Sequence, residues 1–283
     1  MRNKVSLVLE GGGMRGAYTA GCLSWLIDQN LVFDEAFAIS TGAVHLTSFL
    51  LKNKEALYKF PCVLLTDKNC VGIRALLKEG RYVAYDYVFD TLLEQREHFD
   101  VSPIKKHPTK IHIGLYELNK CQCEYFSNDK IQLKLLKAAC SLPIVSKIVE
   151  EAGNKYLDGG ITKMIPIEES INCGLDKHLV ISTKHIGYVR KRSSKIVEFL
   201  MKLIYRKYPK MYDDYHIRAE NFHHQMDIVE NLVKEKKACL IRPTIKYKVK
   251  RFSGDPEALK KLYELGYQDM EAKKAEILSL FNS

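Results

Sequence analysis

The run Val5-Ser6-Leu7-Val8-Leu9 passes directly into Glu10-Gly11-Gly12-Gly13-Met14-Arg15-Gly16. A short, near-continuous apolar run that stops at glycines reads as a strand covered on both faces, as in a parallel sheet. From Met14 to Gln29 the apolar residues Ala17, Ala20, Leu23 and Ile27 recur at helical spacing. Ala36 to Ile39 then reads as a second strand and Ala43 to Leu51 as a second helix. This strand–helix–strand–helix order predicts an α/β fold, a mainly parallel sheet sandwiched by helices.

Further along, Cys62 to Leu65 is expected to be a strand. Ile111 to Leu118 and Cys121 to Phe126 flank Asn119-Lys120 as a hairpin. Lys130 to Cys140 reads as a helix stopping at Ser141-Leu142-Pro143. Lys155 to Leu157 is a short strand before Asp158-Gly159-Gly160, and Leu179 to Ser182 is another strand. From Ser193 the pattern turns helical over Ser193 to Tyr208, Asp213 to Lys234 and Asp255 to Ser279, with one strand at Ala238 to Ile241. The expected division is an α/β core over 4–182 and a mainly helical C-terminal part over 183–283 packed on it.

The 283 residues carry a formal net charge of +10, which favours anionic partners. The basic excess is concentrated between Lys184 and Lys210, where Glu198 is the only acidic residue. No nucleic-acid-binding module is recognisable, so nucleic acid is not an expected partner. No apolar run is long enough for a membrane span or a signal peptide, which makes a cytoplasmic location the expectation. The eight cysteines are too dispersed for a disulfide scaffold, and Cys121-x-Cys123 lacks the spacing of a zinc or redox pair. Buried free thiols are expected, with no metal and no cofactor.

Three motifs could carry chemistry. Glycines between a strand and a helix let the backbone approach a ligand and point N–H groups at it, suiting a phosphate or an oxyanion. Gly11-x-Gly13-x-x-Gly16 also fits a dinucleotide fingerprint, which expects an acidic residue at the end of the second strand. Here Asp34 and Glu35 precede that strand, so a nucleotide is not expected. No Gly-Lys-Ser/Thr follows, which excludes a P-loop. Ala38-Ile39-Ser40-Thr41-Gly42 lies between strand and helix, where a serine can be a nucleophile on a sharp turn or a plain helix cap. Asp158-Gly159-Gly160 can be an exposed carboxylate or an ordinary turn.

The order of these motifs resembles the patatin-like phospholipases. Gly11-Gly12-Gly13-Met14-Arg15-Gly16 is similar to that family's glycine block, and Ala38-Ile39-Ser40-Thr41-Gly42 to its serine block, with Ala38 where glycine is usual. Asp158-Gly159-Gly160 is similar to its aspartate block, and Ala138 to Pro143 to a further one. The resemblance covers residues 4–182. It implies a Ser-Asp dyad of Ser40 and Asp158, with backbone N–H groups of Gly11, Gly12 and Gly13 holding the oxyanion. Arg15 would orient that loop or form a structural salt bridge, and Gly16, Ala38, Gly42, Gly159 and Gly160 would support the turns. The implied activity is lipid ester hydrolysis, as a phospholipase A, lysophospholipase or esterase; the alternative is an inactive lipid- or anion-binding protein on the same scaffold.

A Ser-His-Asp hydrolase brings its serine after several strands, and Ser40 comes too early for that. His178 and His185 each sit beside a lysine and read as satisfied or surface histidines; His45 is expected to point away from Ser40. Ile196, Phe199, Leu200, Leu203 and Ile204 form an apolar stripe among Lys195, Lys202, Arg206 and Lys207. Such a stripe is expected to pack on the core, with peripheral contact at an anionic membrane as the other option.

Overall fold

A computed structural model describes residues 3–282. The chain opens as β1 (Val5–Leu9), α1 (Gly16–Asp28), β2 (Glu35–Ile39), α2 (Thr41–Leu50), α3 (Lys54–Cys62) and α4 (Ile73–Glu79). A π-helical segment, Tyr87–Arg96, leads to β3 (Lys110–Glu117), β4 (Gln122–Phe126), α5 (Leu133–Cys140), β5 (Val149–Glu151) and β6 (Asn154–Asp158). The remainder is α6 (Ile167–Asn172), β7 (Lys177–Ile181), α7 (Lys195–Ile204), α8 (Pro209–His216), α9 (Arg218–Lys234), β8 (Ala238–Ile241), α10 (Pro256–Ala272) and α11 (Lys274–Ser279).

The strands form one sheet in the order β5-β6-β3-β2-β1-β7-β8, with β4 on the other edge of β3. The five strands from β3 to β8 run parallel; β4, β5 and β6 pair antiparallel. Alternation along the strands divides the core. Leu7, Leu9, Ala38 and Ile181 face a cluster with α1, α2 and α5 residues, while Val8, Phe37, Val180 and Leu240 face Ile167 of α6 and Phe222 and Val229 of α9. The result is a sheet between two helical layers, as expected for the α/β class.

The expected strand at Cys62 to Leu65 is not formed. Cys62 ends α3, and a 3₁₀ turn follows at Leu64–Thr66. Asn53 caps α3 by accepting from the Ala56 N–H at 2.8 Å, so the local signal belonged to a helix start upstream. The expected helix Asp213 to Lys234 is two, α8 and α9, broken at Ile217, and Asp255 to Ser279 is likewise α10 and α11. The apolar stripe of α7 does not pack on the core: Ile196, Phe199, Leu203 and Ile204 are all exposed, and Met201 is the helix's buried residue. Helical periodicity shows that a face is apolar but not that anything covers it.

The C-terminal part docks through α10 on α1. A β-carbon on Gly21 would lie 1.9 Å from the Tyr263 carbonyl oxygen, and one on Gly266 would lie 2.2 Å from that of Tyr18. Backbones cross at this distance only where both helices lack side chains. Tyr18 and Trp25 of α1 donate to Asp269 (2.8 Å) and Glu271 (2.6 Å) of α10. β8 also extends the sheet beside β7.

Candidate active site

Ser40 and Asp158 are distant in sequence but meet over β3. Ile39, the last residue of β2, pairs with Gly114, and Asp158, the last residue of β6, pairs with Leu115. β4 occupies the opposite edge of β3, so β2 and β6 end head-on along the same edge. Gly114 allows this crowding, since a β-carbon there would lie 2.4 Å from Ile39 Cδ1.

Ser40 has φ 58° and ψ −135°, a backbone conformation that side-chain-bearing residues rarely adopt. It precedes α2, yet its hydroxyl makes no capping hydrogen bond. Ser40 instead lines the same cleft as Asp158, and its hydroxyl is close enough to favour the ionised Asp158 carboxylate. Ala38 lies within β2 opposite Leu9 and Ile113, fully buried, and the sharp turn at Ser40 forms with its methyl in place. Gly42 lets the start of α2 approach β1: its β-carbon would stand 3.2 Å from the Glu10 carbonyl oxygen.

Asp158 is buried. Its carboxylate accepts from the Gly160 N–H at 2.7 Å, and its own N–H donates to the Ser141 carbonyl at 2.7 Å. Burial pushes its pKa up, opposed by the nearby Ser40 hydroxyl, the Arg218 charge, the Gly160 N–H and the Arg251 charge. A raised pKa moves a carboxylate toward useful basicity near neutrality. Gly159 permits the turn after β6, because a side chain there would strike the Gly114 carbonyl at 2.5 Å.

The glycine loop stands over both. Of the three N–H groups expected to face an oxyanion, that of Gly11 donates to the Met164 carbonyl at 3.3 Å. Among the described residues those of Gly12 and Gly13 have no such partner, so they are the open donors. Gly13 has φ +59°, and a β-carbon there would lie 2.5 Å from the Arg251 carbonyl oxygen. That carbonyl accepts from the Met14 N–H at 3.0 Å, and Arg15 Nε donates to the Val249 carbonyl at 3.4 Å. Arg15 thus ties the loop to the segment between β8 and α10, and no ion pair involves it among the described residues. Gly16 makes room for the His45 ring, whose Nε2 would be 2.6 Å from a β-carbon there.

Sequence reasoning missed several cleft residues. Glu10 is buried and ion-paired with Lys184 at 2.8 Å, and it also accepts from Ser182 Oγ at 2.6 Å. Arg190, Arg218 and Arg251 reach the cleft from three separate loops and helix ends. Arg190 and Lys184 belong to the visible basic excess, and Arg251 closes a second basic run, Lys246, Lys248 and Lys250, that was not singled out; Arg218 is isolated in the chain, and no local pattern marks it. The histidines lie elsewhere: His178 is buried and bonded to Ser6 Oγ and Ser170 Oγ, each at 2.9 Å, and His185 contacts the Ile186 carbonyl. Among the described residues, one group could hold a metal, Glu35, His112 and Cys173, at the opposite end of β2 from Ser40. There His112 Nε2 already pairs with Glu35 at 2.6 Å.

A strained serine, a buried carboxylate and open backbone donors line one cleft, and these are the kinds of group that acyl transfer uses. The model of the patatin-like phospholipases matches residues 7–171, and the chain belongs to that family. A second model, described as a domain of unknown function (DUF6363), matches 208–282. The chain is 26% identical over 194 residues to the uncharacterized protein YjjU of Escherichia coli (strain K12), covering 64% of this chain and 52% of that protein. It is also 26% identical over 184 residues to the probable lipid hydrolase 463L of Invertebrate iridescent virus 6, covering 59% of this chain and 63% of that protein. The chain therefore spans less than two thirds of the length of either relative. A solved structure, VipD from Legionella pneumophila, aligns with TM-score 0.46 and 14% identity over 97% of this chain and 67% of that one.

Proposed function

We propose that the chain is a serine acyl hydrolase that cleaves lipid esters with Ser40 as nucleophile and Asp158 as base. The observation that carries this reading is Ser40, held on a left-handed backbone turn with no capping bond to the helix behind it and lining one cleft with a buried carboxylate of raised pKa. Asp158 takes the hydroxyl proton as Oγ attacks the ester carbonyl. The Gly12 and Gly13 N–H groups stabilise the oxyanion, and Asp158 returns the proton to the leaving alcohol. Water then enters by the same route and releases the acid. Removing one oxyanion donor in comparable sites costs about 2.7–4 kcal/mol, so two preset donors are a large part of such catalysis. Family membership and the relative named as a probable lipid hydrolase support a lipid substrate.

The exposed apolar face of α7, flanked by Lys195, Lys202, Arg206 and Lys207, fits peripheral contact with an anionic membrane. No helix among the described residues is long and apolar enough to cross one. The eight free cysteines fit a reducing compartment such as the cytoplasm.

The test is covalent labelling with a fluorophosphonate probe, paired with hydrolysis of p-nitrophenyl esters and phospholipid. The parent labels and turns over; Ser40→Ala does not label; Ser40→Ala and Asp158→Asn each lose about 10³-fold or more in kcat. An unlabelled, folded parent would leave the second reading, an inactive lipid- or anion-binding protein, which the narrow cleft and its cations also favour.

A further inference from the structure

Three guanidinium groups, those of Arg190, Arg218 and Arg251, line the cleft beside Ser40. Arg190 lies in the loop after β7, Arg218 is the first residue of α9, and Arg251 lies between β8 and α10. Arg218 is 7% exposed. None of the three forms an ion pair among the described residues, although Asp158 lines the same cleft. Lys184, the other cation here, is already matched by Glu10. Three guanidiniums thus face a single further carboxylate, that of Asp158.

The fold holds these cations without neutralising them. The Arg190 guanidinium lies 5.8 Å from the centre of the Phe222 ring, and that of Arg218 lies 5.5 Å from the centre of the Tyr215 ring. Arg218 Nε also donates to the Gly160 carbonyl. Burial lowers the pKa of each, and in each the second cause is another member of the group: Arg251 acts on Arg190, Arg190 on Arg218, and Arg218 on Arg251. Clustering like charges, here one buried and two half-buried, is costly unless something compensates them. The N-terminus of α9 adds positive potential, which is the wrong place for a purely structural arginine. Guanidinium forks match the oxygens of a phosphate better than any other protein group does.

We propose that Arg190, Arg218 and Arg251 form a subsite for a phosphate-class oxyanion within the Ser40 cleft, so that a preferred ester carries its anionic group a few bonds from the scissile carbonyl. The ester half of this statement rests on the hydrolase reading; the anion half does not. All three arginines lie outside the stretch that matches the patatin-like model, and two lie in the 208–282 stretch. The subsite thus gives that stretch a role in selecting substrate. A neutral ester in the same cleft would leave the cations desolvated and unmatched, which builds in discrimination.

Two measurements test this. First, inorganic phosphate is titrated calorimetrically into the Ser40→Ala protein, which separates binding from turnover. One saturable site is expected, weakened at least tenfold by Arg190→Gln or Arg251→Gln and partly restored by Arg251→Lys. Arg192→Gln, which removes a surface pair with Glu220, leaves the affinity unaltered. Second, kcat/KM is compared for a monoacylglycerol and its 3-phosphate with the same acyl chain. The phosphate ester is expected to be favoured at least tenfold, and the ratio to collapse toward one in Arg251→Gln. Arginine-dependent phosphate binding with that preference assigns the subsite to a substrate headgroup. The same binding with equal inhibition of both esters assigns it to free phosphate. Arginine-dependent binding without cleavage of any ester keeps the subsite and removes the hydrolase reading. Absence of phosphate binding in folded protein, with an ester ratio unmoved by the arginine variants, overturns the proposal.

Discussion

A β-carbon on Gly11 would fall 2.8 Å from that of Ser40 and 3.3 Å from the Ile39 carbonyl oxygen. The glycine loop and the serine turn are therefore packed backbone to side chain, and neither can move without the other. Gly11→Ala is expected to cost about 1–3 kcal/mol of stability through overpacking. Displacing Ser40 by a fraction of an ångström should lower ester turnover by about 10²-fold. Urea denaturation and p-nitrophenyl ester kinetics on the same preparation check both; a fully active Gly11→Ala enzyme would contradict the contact.

The raised pKa of Asp158 sets a direction for the pH–rate profile. Only the ionised carboxylate can act as base, and the folded protein holds this proton more tightly than a free aspartate does. The acid limb of kcat/KM should therefore lie above the ordinary aspartate value of about 3.9. Arg218 and Arg251 both oppose the rise, so Arg251→Gln should move the limb to still higher pH. A limb moving down in that variant would show that the arginine charge does not reach Asp158.

His45 predicts acid sensitivity of the fold. Its ring is buried against Phe60, neither nitrogen has a hydrogen-bond partner among the described residues, and burial pulls its pKa from 6.5 down to about 3. With the folded value depressed, the unfolded chain takes up this proton first as pH falls. Stability is then lost between about pH 6.5 and the folded value, by up to about 1.4 kcal/mol per pH unit. His178, pulled down to about 4, acts in the same sense. His45→Leu should flatten the decline of urea midpoints between pH 6.5 and 5, leaving the His178 contribution.

The crossing of α1 and α10 predicts that the two parts of the chain unfold together. Gly266→Val would drive a side chain into the Tyr18 carbonyl and is expected to cost about 3 kcal/mol or more. Trp25, the single tryptophan, lies on α1 and bonds Glu271 of α10, so its fluorescence reports on this joint. In the parent, fluorescence and far-ultraviolet ellipticity should give coincident transitions. Separate transitions would mean that the C-terminal part melts alone.

On α7, Phe199 is 65% exposed and Leu203 56%. The double variant Phe199→Glu, Leu203→Glu should abolish co-sedimentation with vesicles containing anionic lipid, while hydrolysis of a soluble ester persists. Negligible sedimentation of the parent with both anionic and neutral vesicles would remove α7 as a membrane contact.

The architecture was legible where periodicity and punctuation agree. β1, the glycine turn, α1, β2 and α2 follow one another at nearly the expected residues because each boundary carries a glycine, a serine or a switch of period. Cys62 to Leu65 was not legible: four apolar residues suit a helix end as well as a strand. The positions of Ser40 and Asp158 could be read from motif order, but the reason they meet could not, since it depends on which edge of β3 each strand takes. Arg218 was invisible because a residue isolated in the chain leaves no spacing to read, and the basic run ending at Arg251 gives no sign that its last member turns toward Ser40. The face of α7 was visible as apolar, but exposure is a property of neighbours, not of the helix itself.

Three paired residues, Leu115 to Glu117 with Asp158 to Tyr156, hold β6 against β3. Successive side chains on a strand point to opposite faces, so a slip of one position would present the hydrocarbon of Leu157 where the carboxylate now stands. The proposed base is thus specified by counting along a ladder as much as by residue type. Deleting one residue between Gly153 and Asp158 should silence the chain more completely than most substitutions in the cleft, even if every motif survives intact in the sequence.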